Sequence, residues 1–163
     1  MDEKKVKIGV ISDTHLGGYD DKLKNIVARH FHDADIILHA GDLVDIGVLD
    51  IFGDKEVKAV CGNMDNDKTR GKLPGQLIFE IKGFKIGLIH GWGSTGSIEE
   101  KILRRIGKVD CVVYGHTHKP ANHKEGDVLF FNPGSAAQRH FVMSRTLGIL
   151  EVDKELTGRI INI

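Results

Sequence analysis

Carboxylate, amide and imidazole side chains follow five of the apolar segments of this sequence, at the point where each segment ends. The segments run into the motifs SDTH, HAGD, GNMD, IHG and GHTH. These motifs supply seven candidate metal ligands: Asp13, His15, Asp42, Asn63, His90, His116 and His118. Open α/β sheets bind ligands at the carboxyl ends of their strands, so we expect these side chains to meet in one place if the segments are strands.

The spacing within the motifs suits two metal ions. In extended backbone, His116 and His118 would project to the same side, roughly 6.5–7 Å apart. That separation fits two ions about 3.5–4 Å apart, each taking one imidazole. Asp13 and His15 have the same spacing, and a carboxylate such as Asp42 has two oxygens with which to bridge both ions. A donor set without thiolate suits Mn, Fe, Co, Ni or Zn.

Each residue by itself also has an ordinary structural explanation. A single Asp after a strand is commonly a turn or capping residue, and a single His such as His90 is commonly a satisfied polar group at the edge of a core. Their joint occurrence at five strand ends favours the metal site. We assign no role to His123 and His140, which are expected in loops. His39 is kept as a candidate support beside Asp42.

The elements that must position these residues follow from the apolar pattern. Helices alternate with strands in the first half of the chain, and hairpins dominate the second half, where the last three strands are expected to be antiparallel. The predicted strands are 6–12, 35–40, 57–62, 77–81, 84–90, 109–115, 127–132, 146–152 and 158–163, and the predicted helices are 20–31, 46–52 and 97–107. Ser97 is the expected N-cap of the last helix. The pattern favours two sheets with helices on their outer faces.

Length and composition fit one compact domain spanning residues 1–163. The chain has 163 residues, of which 40% are hydrophobic, enough for a single sizeable core. Its 23 basic residues balance 23 acidic ones, so the net charge indicates no nucleic-acid surface. No apolar run approaches the roughly 20 residues of a membrane span, and the charged N-terminus lacks the apolar core of a signal peptide. We therefore expect a cytoplasmic protein.

Cys61 and Cys111 each lie beside or within an apolar run. Free thiols in a reducing compartment are the expected state, and a disulfide between them is the alternative.

Six motifs occur in the order typical of one family. SDTH, GD, GNMD, HG, GHTH and NPGS resemble those of the calcineurin-like metallophosphoesterase superfamily, and the length resembles its small YfcE-like phosphodiesterase branch. The resemblance runs from Val6 to about Ser135. It implies a four-layer αββα sandwich of two mixed sheets and a site for two divalent ions, Mn²⁺ or Ni²⁺ in the first place, with Fe, Co or Zn as alternatives.

The resemblance also implies how the ligands divide. The first ion would be held by Asp13, His15, Asp42 and His118, and the second by Asp42, Asn63, His90 and His116. A hydroxide bridging the two ions would attack phosphorus in line, so no protein nucleophile is named. The substrate would be a phosphate ester, a small molecule or a nucleotide, and homo-oligomerisation is left open.

One position departs from the family pattern. Many relatives carry GNHD, and the resemblance implies that its histidine protonates the leaving oxygen, whereas this chain has Met64 there. A general acid typically contributes about 10²–10⁴-fold, so good leaving groups would suffer least from its loss, and a phosphodiesterase is favoured over a monoesterase. Asp65 is a candidate catalytic residue beside Asn63, or else a turn residue. Arg139 is a candidate substrate-phosphate ligand, and NPGS (132–135) is a turn that could shape the pocket.

Two rival functions are considered. GWGSTG (91–96), with Asp110 downstream, matches a dinucleotide-binding fingerprint, but its strand belongs to a hairpin and Asp110 begins the next strand. Some relatives with this fold, such as the retromer subunit, serve as scaffolds. A catalytically weak or inactive scaffold is therefore the main alternative, although the complete set of seven ligands favours an enzyme.

Overall fold

The computed structural model describes residues 4–137 and 144–163, and their strands form two five-stranded sheets. The first sheet has the spatial order β10 (Leu156–Asn162), β9 (Thr146–Val152), β1 (Val6–Ile11), β2 (Ile36–His39) and β3 (Glu56–Ala59). β1, β2 and β3 are parallel, whereas β9 is antiparallel to both β1 and β10. The carboxyl ends of β1, β2 and β3 therefore lie at one edge of this sheet.

The second sheet has the order β4 (Gln76–Ile81), β5 (Phe84–Ile89), β6 (Cys111–Val113), β8 (Val128–Asn132) and β7 (Ala121–Glu125). β5, β6 and β8 are parallel, and β4 and β7 are antiparallel edge strands. Both sheets are thus mixed, as expected. The expectation that the strand at 127–132 is purely antiparallel is wrong, because β8 pairs in parallel with β6.

Apolar residues from both sheets form the central core. Leu38 and Val10 of the first sheet are completely buried in one cluster with Leu88, Val113 and Phe131 of the second. Strands buried on both faces read as near-continuous apolar runs, which is why β1, β5 and β6 were recognisable in the sequence.

Helices cover the two outer faces. α1 (Asp21–Phe31) and a 3₁₀ helix (Ile46–Phe52) pack on the first sheet, and α3 (Ile98–Ile106) packs on the second. Asp20 caps α1, since its side chain accepts a hydrogen bond from the Leu23 amide at 2.7 Å. The layers are therefore helix, sheet, sheet and helix, which confirms the four-layer sandwich.

Two short elements were not predicted. α2 (Asp67–Lys72) is polar and buries only Thr69, and edge strand β7 exposes nearly every residue, so neither has an apolar period. Asn66, which accepts a hydrogen bond from the Thr69 amide at 2.9 Å, is the sequence signal that could have located α2. β7 also contains His123, which was expected in a loop.

The prediction for Ser97 is half correct. Ser97 occupies the N-cap position of α3, but its φ is 58°, in the left-handed region. An N-cap side chain accepts a hydrogen bond when its backbone is extended. Within the described residues, Ser97 makes no such side-chain cap.

Both cysteines are free thiols, Cys111 buried and Cys61 half-buried. In the described part of the chain no helix is long and apolar enough to cross a membrane.

Candidate metal centre

The candidate ligands lie in loops that leave the carboxyl ends of strands in both sheets. Asp13 and His15 follow β1, Asp42 follows β2, and Asn63 follows β3, all in the first sheet. His90 follows β5, and His116 and His118 follow β6, in the second sheet. The structure brings all seven into two adjoining groups.

The first group consists of Asp13, His15, Asp42 and His118, whose donor atoms lie within 4.8 Å of one another. Nε2 of His118 is 3.2 Å from Oδ1 of Asp13 and 3.3 Å from Nε2 of His15. Nε2 of His15 is 3.8 Å from Oδ2 of Asp42. Two imidazoles and two carboxylates therefore face one small space.

The second group consists of Asn63, His90 and His116. The side-chain oxygen of Asn63 lies 3.2 Å from Nε2 of His90 and 3.1 Å from Nδ1 of His116. Oδ2 of Asp42, which also belongs to the first group, is 3.3 Å from Nε2 of His90. Asp42 is therefore shared between the groups.

Each carboxylate has one oxygen held by the protein and one directed into the cluster. Oδ2 of Asp13 accepts hydrogen bonds from the Ser12 hydroxyl at 2.6 Å and the His116 amide at 3.2 Å. Oδ1 of Asp42 accepts one from the Met64 amide at 2.8 Å. The remaining oxygens, Oδ1 of Asp13 and Oδ2 of Asp42, face the imidazoles of the site.

Backbone carbonyls orient two of the imidazoles. Nδ1 of His90 donates to the carbonyl of Ala40 at 2.7 Å, and Nε2 of His116 donates to the carbonyl of Gly93 at 2.7 Å. A ring nitrogen that donates leaves the other nitrogen as an acceptor in the neutral imidazole. In the neutral ring, Nε2 of His90 and Nδ1 of His116 are the nitrogens left to bind a metal ion.

The charged groups of the site stabilise one another. Burial opposes ionisation of Asp13, but the adjacent imidazoles of His118 and His15 outweigh it and hold the pKa of this carboxyl well below its ordinary value. Burial likewise opposes ionisation of Asp42, and its contact with His90 lowers the pKa overall. The contact with the Asp13 carboxylate raises the pKa of His118. Both carboxylates stay ionised, so the site attracts cations.

Five of the candidate ligands have left-handed backbone. Their φ angles lie between 51° and 69°, in Asp13, His15, Asp42, His116 and His118. The expectation that His116 and His118 are extended is therefore wrong. A non-glycine residue in this region costs about 1–3 kcal/mol, and such residues cluster at functional sites. The imidazoles of His116 and His118 nevertheless belong to different groups. The conformation of the loop, rather than the alternation of side chains along a strand, sets their directions.

Two glycines allow the loops to approach so closely. A Cβ on Gly62 would lie 2.2 Å from Oδ1 of Asp42, and one on Gly115 would lie 2.1 Å from the Ser12 hydroxyl oxygen. Any side chain at either position would displace a candidate ligand.

The residues present fit metal ions. Among the described residues, Oδ1 of Asp13 and Nδ1 of His15 are buried polar atoms that lack a hydrogen-bond partner. A buried carboxylate oxygen without a partner is costly, and a cation in the cluster would compensate that cost. The donors are imidazole nitrogens and carboxylate or amide oxygens, which suit divalent transition metals.

Sequence reasoning only partly anticipated the residues that brace the loops. The NPGS segment is the predicted turn, in which Oδ1 of Asn132 accepts from the Gly134 amide at 2.9 Å. Asn132 also donates to the Gly115 carbonyl at 3.0 Å, and the Ser135 hydroxyl donates to the Asp13 carbonyl at 2.9 Å. This segment therefore positions two of the ligand-bearing loops.

His39 also lies beneath these loops. Its Nδ1 accepts from the Gly41 amide at 3.2 Å, and its Nε2 is 3.1 Å from the Thr14 hydroxyl oxygen. Burial lowers the pKa of His39 to about 3, so it is neutral. It supports the residues next to Asp13 and Asp42, and within the described residues it is not part of the metal cluster.

Asp65 is buried and bonded to backbone groups. Oδ1 accepts from the Val44 amide at 2.6 Å, and Oδ2 accepts from the Gly62 amide at 2.7 Å. It therefore ties the loop after β2 to the loop after β3. Its catalytic role stays a prediction. Met64 exposes half of its surface, and Arg139 lies outside the described residues.

The expectation that the strand before GWGSTG does not open a βαβ unit is wrong. β5 belongs to a hairpin with β4, but it also pairs in parallel with β6 through α3, so it does open a βαβ unit. The glycine-rich loop that follows β5 nevertheless serves the candidate metal centre, since the Gly93 carbonyl holds the ring of His116.

Comparison with known proteins shows the family of this chain. The profile of the calcineurin-like phosphoesterase superfamily domain matches residues 6–155, and the chain belongs to that superfamily. A probable metallophosphoesterase of Methanocaldococcus jannaschii is 38% identical over 160 residues, covering 96% of this chain and 81% of the relative. A novel archaeal phosphodiesterase of known structure has a TM-score of 0.76 and 27% identity, covering 97% of this chain and all of that one.

A second class of relative shares the fold. Vps29 from Entamoeba histolytica, solved in complex with Zn²⁺, has a TM-score of 0.67 and 26% identity, covering 96% of this chain and 99% of that one. The family and the donor cluster together show a phosphoesterase fold with a candidate site for metal.

Proposed function

We propose that this protein is a metal-dependent phosphodiesterase with two divalent ions per chain. Asp13, His15, Asp42 and His118 hold the first ion, and Asp42, Asn63, His90 and His116 hold the second. The observation that carries the proposal is the shared carboxylate: Oδ2 of Asp42 faces His15 at 3.8 Å and His90 at 3.3 Å. A carboxylate shared between two adjoining groups of donors suits a site for two ions.

Bound at these residues, divalent ions would supply a water of lowered pKa as the nucleophile and positive charge for the phosphoryl oxygens. The protein's own contribution is positioning. The carbonyls of Ala40 and Gly93 fix the rings of His90 and His116 by accepting hydrogen bonds from them. Ser12 and the Met64 amide hold the outer oxygens of Asp13 and Asp42. The inner oxygens are thereby preorganised, with little reorganisation required during the reaction.

The preference for diesters rests on Met64. Its backbone amide supports Asp42, while its thioether side chain is half exposed and carries no proton to donate. A substrate with a good leaving group does not need that proton. The likeness to an archaeal phosphodiesterase supports the same preference.

The remaining parts of the proposal concern the metal, the roles of two residues, the substrate and the location. Imidazole and oxygen donors suit Mn²⁺ or Ni²⁺, with Fe, Co or Zn as alternatives. Asn63 is proposed as ligand and catalytic residue, and Asp65 as the residue that positions its loop. The substrate is a small phosphate ester or nucleotide, and the protein acts in the cytoplasm as a single domain.

A scaffold function is the second candidate, and the likeness to Vps29 supports it. That protein was itself solved with Zn²⁺, so metal binding alone does not separate the two functions. Turnover does.

The test is hydrolysis of an aryl phosphodiester compared with the aryl phosphomonoester, with Mn²⁺, with Ni²⁺ and with chelator. We expect metal-dependent turnover that favours the diester and falls at least about 100-fold in Asp42→Ala, because loss of a ligand should exceed the 10- to 100-fold effect of changing its neighbours. Asp50→Ala, at an exposed position of the 3₁₀ helix, is the matched control. Activity that survives chelation, or absence of turnover with every ion, would favour the scaffold.

A further inference from the structure

A groove of about 340 Å³ opens beside the second group of ligands. Its lining includes the candidate ligands Asn63 and His90 together with Trp92, Arg105 and Arg70; we call it the Trp92 groove. We propose that it binds the organic part of the substrate, and that this part carries an aromatic ring such as a nucleobase. The inference rests on the proposed function and narrows its substrate class to nucleotides.

Trp92 exposes a large apolar surface inside this groove. Among the described residues, four large hydrophobic side chains are well exposed: Tyr19, Met64, Ile78 and Trp92, the last at 37%. Of these four, Trp92 alone lines this groove. Aromatic side chains beside a phosphate site are stacking surfaces for bases, because every base has a π-face.

The loop that carries Trp92, residues 92–94, is held in place by hydrogen bonds to its carbonyl groups. The Lys101 ammonium donates to the carbonyls of Trp92 at 3.0 Å and Ser94 at 2.8 Å. Nε2 of His116 donates to the intervening Gly93 carbonyl. A preorganised aromatic ring loses little conformational entropy on binding, and the contact with His116 joins its position to that of a candidate ligand.

The charge of the groove suits a phosphate ester. Its described lining contains two arginines and no carboxylate. The guanidinium of Arg105 lies 5.3 Å from the ring of Trp92 and donates to the side chain of Gln76 at 3.2 Å. Arg70 donates to the backbone carbonyl of Asp65 at 2.8 Å. Arg70 is thus bonded to the loop after β3, while the Arg105 guanidinium brings a positive charge into the groove beside the indole.

The distances along the chain suit a nucleotide. Trp92 follows His90 by two residues, so their Cα atoms are at most ~7 Å apart. A phosphate beside His90 therefore has its sugar in the groove and its base within reach of the indole.

The test uses the Mn²⁺-loaded full chain with adenosine 5′-monophosphate and ribose 5-phosphate, which differ by the base alone. The chain has a single tryptophan, so its fluorescence reports on Trp92 directly. We expect saturable quenching by the nucleotide, and tighter binding of the nucleotide than of the sugar phosphate. By calorimetry, Trp92→Leu should weaken nucleotide binding on the order of tenfold to a hundredfold, leave ribose 5-phosphate unaffected, and be largely rescued in Trp92→Phe.

Tyr19→Leu, which removes an exposed aromatic ring outside the groove, is the matched control and should bind both ligands as the wild type does. Equal affinities for the two ligands, absence of nucleotide binding, or unchanged binding in Trp92→Leu would overturn the inference. Comparing nucleotide and ribose 5-phosphate binding in metal-free protein separates this inference from the proposed function. Discrimination of the base by Trp92 does not depend on turnover.

Discussion

Oδ2 of Asp42 lies 3.3 Å from Nε2 of His90, although the two residues follow strands of different sheets. The contact connects the loop after β2 with the loop after β5 across the sandwich. Because Oδ1 of the same carboxylate is held by the Met64 amide at 2.8 Å, Asp42 has one oxygen for structure and one for the site. The metal centre therefore depends on how the two sheets pack together.

The first prediction concerns metal count. The wild type should bind two Mn²⁺ ions per chain. Asn63→Ala and His118→Ala should each retain about one, because each removes a donor from a different group. Metal content after equilibrium dialysis measures this. His123→Ala, which removes an imidazole bonded to Glu99, should keep both ions, and a wild type that binds a single ion would contradict the dinuclear site.

The second prediction concerns thermal stability. Metal binding compensates the partnerless Oδ1 of Asp13 and stabilises only the folded state. At a free Mn²⁺ concentration 100 times the dissociation constant, the gain is about 2.7 kcal/mol, which raises Tm by roughly 5–10 °C in a chain of this size. Differential scanning calorimetry with and without chelator tests it. Asp42→Ala should show a much smaller increase, and an equal increase would place the ions elsewhere.

The third prediction concerns the leaving group. Met64→His places an imidazole where the thioether now lies exposed beside the site. Because it supplies a general acid, it should raise kcat/KM for an alkyl diester by about tenfold or more, with little change for an aryl diester. Met64→Leu is the control and should change neither. Equal effects on both substrates would show that the residue at this position does not protonate the leaving oxygen.

The fourth prediction concerns Asp65, whose two oxygens accept from the Val44 and Gly62 amides. Asp65→Ala leaves both amide donors without their partner and should lower the free energy of unfolding by about 3 kcal/mol. Asp65→Asn keeps one acceptor and should lose less. Urea unfolding measures both. Asp67→Ala, at an exposed position, should lower the free energy of unfolding only slightly. A loss equal to that of Asp65→Ala would contradict the role of Asp65 in joining the loops.

The fifth prediction concerns pH and Cys111. Burial raises the pKa of this thiol from 9.0 to about 12. Between these values the unfolded chain releases the proton while the folded chain keeps it, so the free energy of unfolding falls as pH rises. Cys111→Ala should flatten this decline between about pH 9 and 10.5 in denaturant titrations. A thiol reagent should leave Cys111 unmodified in the native protein, and rapid modification would contradict its burial.

The sequence by itself determined most of the elements and the inventory of donors. Strands such as β1 and β5 are buried on both faces, and their apolar runs are visible without tertiary information. The donors follow directly after these strands, which is why all seven could be named. α2 and β7 were missed because their stability comes from capping and edge pairing, which leave no apolar period.

Only the tertiary structure decided the geometry of the site. The spacing of His116 and His118 suggested extended backbone, but both have left-handed φ angles. Their directions are set by contacts from distant segments, such as Asn132 on Gly115 and Gly93 on His116. The sharing of Asp42 between two groups likewise depends on the packing of one sheet on the other. Local sequence encodes which donors are available, whereas their distances depend on contacts between residues far apart in the chain.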